Sequence, residues 1–295
     1  MGKDLWENNQ KVKDLFKLAS DKTSIDMENL LFEGSEDDLK ATDKTQAAIT
    51  LVNLSASLVL KEKGITAEGF AGFSLGEFSA LCEAGIISTN DIFNIVKARG
   101  DIMEKVSRSL DSPAGNPGMA AVIGLEYKQM EQLIKDKGLE GVYLANYNGT
   151  NQIVLSGTFE GLRAAEAVMS EAGAKRYIML KVSGPFHCPL LDDARKEFTD
   201  VLGNYEFSDP TLPVYSNVTG KLITSGKEAR ELSIQQVTST VKWVNEMDSM
   251  IADGYDRFIE AGPGKVLAGL IKRHSKDHSC LAAATEEDIN KIIEG

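Results

Sequence analysis

The first residues whose types and spacing can do chemistry are Gly72 to Glu77, GFSLGE. They follow the short hydrophobic run Phe70 to Phe73 and precede a helix-like segment from Leu75 to Ala84, so the local order reads strand, sharp turn, helix. A serine at the apex of such a turn has the setting of a nucleophile elbow. Gly72 and Gly76 are expected to matter there, because bulky neighbours would clash with the strand and the helix. Ser74 would sit at a helix N-terminus, where free amide hydrogens and the helix dipole favour developing negative charge. The same five-residue pattern can arise by chance in a chain with 26 glycines, so it counts only if a base can be found.

A serine hydroxyl is a weak nucleophile at neutral pH and needs that base. The chain has three histidines. His187 lies in SGPFHCPLL, a loop whose glycine and prolines restrict it and so allow a side chain to be aimed, whereas His274 and His278 fall in a charged tail and read as solvated rather than metal-bound. A third group should hold the imidazole tautomer; Asp192 and Asp193 are near in sequence, and a main-chain carbonyl can serve instead. Cys188 is a poor rival nucleophile, since adjacent side chains seldom converge as nucleophile and base.

Arg99 is the third residue of interest. It falls inside the apolar stripe Ile92, Ile95, Val96, Met103 and Val106 of a predicted helix that begins near Ser88 or Thr89 and ends at about Ser109. The stripe leaves two readings open. The guanidinium either reaches the helix edge and pairs with Asp101 or Glu104, or it points inward and must find an anion. Gly100 beside it would let another backbone or a ligand approach.

The elements that must position these groups begin with an amphipathic helix over Asp4 to Ser20 and a long helix capped by Asp43 and ending at Gly64. The loop DSPAGNPG, Asp111 to Gly118, marks a change of pattern. After it come a strand over Met119 to Ile123, a helix over Tyr127 to Lys137, strands around Val142 to Tyr147 and Gln152 to Ser156, a helix over Phe159 to Ala172 and a strand over Lys175 to Val182. This βαββαβ order predicts a ferredoxin-like module inserted at residues 117–182, with a hairpin turn as the plain explanation for Asn146 and Asn148. Beyond it PVYSNVTG, Pro213 to Gly220, reads as strand, the stretch with Gln235 and Gln236 as helix, and FIEAGPGKVLAGL as strand, glycine loop and helix. Its spacing fits neither the P-loop nor the dinucleotide fingerprint, so a structural turn is expected rather than a phosphate cradle.

Composition bounds the rest. With 295 residues, 42% of them hydrophobic and 26% charged, the chain can bury a sizeable core without covalent staples. Three cysteines without C-x-x-C spacing suggest neither a disulfide framework nor a zinc site, and a metal enzyme is not expected. The net charge of −12 argues against nucleic acid as a partner. No apolar run approaches the roughly 20 residues of a membrane span and no signal peptide opens the chain, so a cytoplasmic protein is expected.

The segments GFSLGEFSAL, KARG around Arg99, GMAAVIGL, NYNGTNQIVLSG, VSGPFHCPLL, PVYSNVTG and EAGPGKVLAGL occur in the order and at about the spacing of the malonyl-CoA:acyl carrier protein transacylases, which the chain resembles over about residues 2–275. The resemblance implies an α/β fold with an α/β-hydrolase-like large domain, residues 1–116 and 183–295, carrying the ferredoxin-like small domain. It implies malonyl transfer from CoA to Ser74, with His187 as base, and then to the phosphopantetheine thiol of acyl carrier protein, with no cofactor. Arg99 would pair with the free malonyl carboxylate. A main-chain carbonyl near Lys242, in TVKW, would hold the imidazole, the Leu75 N–H would donate to the oxyanion, and Asn146, Asn148 and Gln152 would line the cleft.

Two departures from that family carry expectations. Its usual opening strand and glutamine-bearing FPGQGSQ-like turn have no counterpart, since the sequence begins just after them; loss of one oxyanion donor costs about 3 kcal/mol of transition-state stabilisation, so weak activity or poor folding is expected of the sequence as given. Phe73 replaces the histidine common before the serine, which implies a packing change only. Rival readings are a polyketide-type acyltransferase, a serine esterase, which would have no use for an inward Arg99, and an inactive carrier-protein-binding remnant. The basic cluster Lys265, Lys272, Arg273 and Lys276 is either a docking patch for an acidic carrier or a solvated helix face.

Overall fold

The structure, a computed structural model, describes residues 1–35 and 42–294. The expected opening helix is two helices, α1 (Lys3–Glu7) and α2 (Gln10–Thr23), because Asn9 breaks the run and its side chain accepts from the N–H groups of Lys11 and Val12. Then come α3 (Met27–Phe32), α4 (Thr42–Glu62), α5 (Leu75–Glu83) and α6 (Thr89–Ser109), the last capped by Ser88 as its sequence suggests. Asp43, expected as the cap of α4, falls one residue inside the helix, and its side chain lies outside the described residues.

The middle of the chain forms β1 (Gly118–Ile123), α7 (Tyr127–Asp136), β2 (Val142–Gly149), β3 (Gln152–Gly157), α8 (Phe159–Glu171) and β4 (Arg176–Met179). These strands make one antiparallel sheet in the order β2-β3-β1-β4, with Met119 opposite Ser156 and Ala121 opposite both Val154 and Ile178. Strand alternation sorts the two faces. Ala120, Val122, Ile153 and Leu155 pack under Met130 of α7 and Leu162, Ala165 and Met169 of α8, while Met119, Ala121 and Val154 meet Leu180 and Phe186 on the opposite face.

The remainder is α9 (Asp192–Leu202), preceded by a 3₁₀ turn, Pro189–Leu191, then α10 (Gly226–Gln236), α11 (Trp243–Ala252), β5 (Arg257–Ala261), α12 (Val266–His274), β6 (Ser279–Ala283) and α13 (Glu286–Glu294). Strands β5 and β6 pair in parallel. The strand expected before the serine and the one in PVYSNVTG shrink to a single parallel bridge, Phe70 with Val214, sealed by Phe70 N–H to Pro213 O (2.7 Å) and Tyr215 N–H to Phe70 O (3.1 Å). The largest core joins α2, α4, α5, α6 and α9 through residues such as Phe16, Leu51, Phe78, Phe93 and Phe198. The four-stranded sheet is tied to the rest of the chain by a second parallel bridge, Asn146 with Val241. Among the described residues no helix is long and apolar enough to cross a membrane.

The glycine turn after β5 shows why no phosphate is needed there. Glu260 accepts from the N–H groups of Leu267 (3.0 Å) and Ala268 (2.8 Å), so a carboxylate of the chain itself occupies the start of α12.

Candidate active site

Ser74 stands at the start of α5 with φ 52° and ψ −108°, a conformation that costs of order 1–3 kcal/mol and persists only where the surroundings impose it. The two glycines contribute unequally. A Cβ on Gly72 would come within 2.1 Å of the Gly76 backbone, whereas one on Gly76 would meet open space, so the expected need for glycine holds at position 72 and not, by contact, at 76. Phe73 packs edge-on against Trp243 with ring centroids 5.8 Å apart, an apolar contact that no base is needed to make.

His187, also at positive φ (59°), places Nε2 2.6 Å from Ser74 Oγ and is only 4% exposed. Its Nδ1 lies 2.9 Å from the main-chain oxygen of Gln236. With Nδ1–H donating to that carbonyl, Nε2 turns its lone pair to the serine hydroxyl, the tautomer a general base requires. The orienting carbonyl is therefore that of Gln236 and not of Lys242. Gln236 ends α10, where carbonyls lack helical partners, while the Lys242 oxygen accepts the Glu246 N–H in the first turn of α11. Neither nearby aspartate reaches the ring: Asp192 pairs with Arg195 and Lys196, and Asp193 with Lys196. Cys188 is buried, donates to Pro185 O and has its thiol pKa raised by burial, all of which leave it inert. His274 is not the free tail residue its sequence suggests, since its Nε2 pairs with Asp248 at 2.8 Å.

Arg99 points inward. It is 2% exposed; Nη1 donates to Gln46 Oε1 (2.8 Å), Nη2 to Gln236 Oε1 (2.9 Å), the group lies over the Phe78 ring, and Nε has no partner among the described residues. The edge carboxylates are taken, Asp101 by Lys97 and Glu104 by Arg108. Both groups facing Arg99 directly are neutral carboxamides, and the nearest carboxylate in its network, Glu77, is reached only through Gln236 Nε2. Burial and the Arg99 charge together lower the His187 pKa to about 4, against the opposing pull of the Gln236 carbonyl. Burial raises that of Glu77 to about 7 despite its hydrogen bonds and Arg99.

A cleft of about 480 Å³ opens beside His187, between Tyr127, Ile134 and Tyr143 on one wall and Pro189, Val218 and Thr240 on the other; Lys242 also faces it. Asn146, Asn148 and Gln152 do not line this cleft. Asn146 is buried where its strand bridges to Val241, Asn148 keeps a buried Oδ1 without a partner, and Gln152 sits at the β2–β3 turn. Sequence reasoning missed Gln46, Glu77, Asn217 and Glu246, and assigned Gln236 no role. Gln46 carried a signal related to that of Arg99: it is a polar side chain near the start of the apolar helix α4, where Arg99 is one in the middle of the α6 stripe.

The depressed His187 pKa has a sign that can be measured. A base with pKa about 4 is neutral throughout the neutral range, so the rate of serine acylation should rise through an acid limb near pH 4 and be flat by pH 6. A stopped-flow pH series reads this directly; a midpoint near 6.5 would mean that burial and Arg99 leave the ring unperturbed.

A serine on a strained strand-to-helix turn, bonded to a histidine held by a third group, defines a serine hydrolase or acyltransferase site on an α/β fold. The chain belongs to the acyl transferase domain family, whose sequence model matches residues 1–290. It is 37% identical over 296 residues to the malonyl CoA-acyl carrier protein transacylase of Bacillus subtilis strain 168, covering 100% of this chain and 92% of that protein. The crystal structure of MCAT from Streptococcus pneumoniae superposes with a TM-score of 0.93 at 33% identity, covering 100% of this chain and 94% of the other. A malonyl-transacylase in complex with a type II PKS acyl-carrier protein superposes equally well, with a TM-score of 0.93, 32% identity and the same coverage.

Proposed function

We propose that this chain transfers malonyl from malonyl-CoA to the phosphopantetheine thiol of an acyl carrier protein, as a step of fatty acid synthesis, through a malonyl ester on Ser74. The observation that carries the reading is the buried Arg99 cation, joined to the Ser74–His187 pair through Gln236 and, among the described residues, without a directly bonded anion. A substrate carboxylate supplies that anion, and the fork geometry of Arg suits bidentate pairing.

The steps follow from the geometry. Ser74 Oγ attacks the thioester carbonyl while its proton passes to His187 Nε2, 2.6 Å away. The Ser74 N–H is engaged with Asn217 Oδ1, so the oxyanion is assigned to the N–H of Leu75, the first residue of α5, where no helical acceptor exists. Collapse breaks the C–S bond, and the CoA sulfur leaves with the proton from His187. The carrier thiol then attacks the ester, its proton moving to His187 and on to Ser74 Oγ as the acyl group departs. Asn148 lies outside the cleft beside His187, but its buried Oδ1 has no partner among the described residues and it is assigned to substrate contact from β2; Asn146 and Gln152 serve the bridge to Val241 and the β2–β3 turn.

The architecture is read as an α/β-hydrolase-like large domain, residues 1–116 and 183–295, with a ferredoxin-like small domain at 117–182; the βαββαβ order and the β2-β3-β1-β4 sheet support the latter. A polyketide pathway is the second reading, favoured by the relative captured with a type II PKS acyl-carrier protein, and differs only in the carrier. Incubation with malonyl-CoA, denaturation and mass mapping test the activity: malonyl on the Ser74 peptide supports it, and an unmodified peptide leaves the carrier-binding remnant.

Lys265, Lys272, Arg273 and Lys276 are all exposed on and around α12, a disposition that suits docking of an acidic carrier. Charge reversal at Lys272 and Arg273 should raise the KM for carrier protein several-fold, mostly at low salt, and spare malonyl loading of Ser74. An unchanged KM would remove the patch from the docking surface.

A further inference from the structure

Beneath the elbow lies a residue that no step of the chemistry above uses for bond making. Asn217 is fully buried, and its backbone and side chain are both engaged. Its Nδ2 donates to Gly72 O (2.6 Å) and to Glu246 Oε1 (2.7 Å); its Oδ1 accepts from Ser74 N–H (2.7 Å) and from Gln236 Nε2 (3.3 Å). Its own N–H donates to Glu77 Oε1 (3.2 Å) and its carbonyl accepts from Lys242 N–H (2.8 Å).

The strand register explains why this side chain is there. Phe70 and the 213–215 segment bond as parallel neighbours, and continuing that ladder by two residues would send the Asn217 N–H to Gly72 O. The chains diverge before that, because the elbow turns, and the Asn217 N–H goes to Glu77 instead. The side-chain amide takes over the ladder position, satisfying the Gly72 carbonyl and the Ser74 N–H on either side of Phe73 as a neighbouring strand would.

We infer that Asn217 is the positioning residue that holds Ser74 in its positive-φ conformation, anchored from behind by Glu246. The inference rests on the malonyl-transfer reading only for the identity of the acyl group. Loss of the amide frees Ser74 to relax, which moves Oγ away from His187 Nε2, and a misplacement of about 1 Å costs about 100-fold in rate. Asn217 touches the Arg99 network only through the 3.3 Å contact from Gln236 Nε2, which also donates to Ser74 O and to Glu77, so Gln236 stays in place without it and the substrate carboxylate keeps its cation. Glu246 is buried, burial together with the neighbouring Glu77 raises its pKa well above the usual carboxylate range, and its Oε1 accepts from Nδ2 at 2.7 Å. A glutamine keeps an accepting oxygen of the same reach there; a leucine does not.

Two assays on the full chain test this. Single-turnover malonylation of Asn217→Ala at saturating malonyl-CoA should slow about 100-fold, with the half-saturating concentration changing by less than about 3-fold. A fluorophosphonate, which phosphonylates Ser74 Oγ with loss of fluoride and needs no malonyl group, should label Asn217→Ala slower by a similar factor. Glu246→Leu should lose about 10-fold in both assays, and Glu246→Gln should recover most of that loss; this pair decides the matter if Asn217→Ala fails to fold. Labelling of Asn217→Ala at the wild-type rate, or equal losses in the leucine and glutamine variants, would overturn the inference. Wild-type enzyme that takes the fluorophosphonate but not malonyl would sink the proposed function alone.

Discussion

Ser74→Ala should retain no acyl group after exposure to malonyl-CoA and denaturation, and its rate of transfer to carrier protein should fall on the order of 10⁶-fold, the scale on which removal of a nucleophilic serine acts. The substitution deletes one oxygen whose hydrogen-bond partner among the described residues is His187 Nε2, so the fold has little reason to change. Alanine also lacks the group that the strained turn exists to present, and the elbow backbone remains held by Asn217 and by Gly76 N–H to Phe73 O. Malonyl-CoA should still bind, because Arg99 and its two carboxamide partners are untouched. Equilibrium binding with normal affinity and no covalent adduct is the expected pair of results. Residual adduct on another residue would mean that Ser74 is not the acyl carrier; buried Cys188 would be the first peptide to inspect.

Most of what positions this site is legible in the sequence, and the exceptions have physical causes. The elbow, its helix, the inward stripe of α6 and the βαββαβ order follow from local signals: glycine at the turn, 3.6-residue periodicity, and alternation bounded by turn residues. The inward course of Arg99 is implied by the family resemblance and not by the stripe, because periodicity places a side chain on a face and does not say whether a long cation reaches past the edge. What settles it lies 53 residues upstream at Gln46 and 137 downstream at Gln236. The imidazole's partner was misplaced by six residues for a related reason. A carbonyl carries no side-chain signature, and only the end of α10 shows which one is left without a helical donor. Asn217 was invisible for the converse reason: its role depends on where two strands stop pairing, a property of three-dimensional divergence rather than of residue type.

Arg99→Ala should lower kcat/KM for malonyl-CoA by about 30-fold to about 5,000-fold and leave acetyl-CoA unchanged or improved. Truncating one partner of a buried charge pair costs roughly 2–5 kcal/mol, and each 1.36 kcal/mol is tenfold. The substitution also leaves a cavity beside Phe78 and two carboxamide oxygens without their donors, so a lower melting temperature is expected. That destabilisation does not confuse the result, since the malonyl-to-acetyl ratio is measured on one preparation and the folded fraction cancels. Arg99→Lys should fall between, because lysine retains the charge without the fork. A second readout follows from His187. Arg99 is one of the two causes that depress its pKa, so removing the cation should move the acid limb of acetyl transfer upward from about pH 4. Water admitted to the cavity relieves desolvation of the ring and acts in the same direction. If acetyl and malonyl transfer fell in proportion, with the acid limb unmoved, Arg99 would be a structural cation and the carboxylate clamp would have to be abandoned.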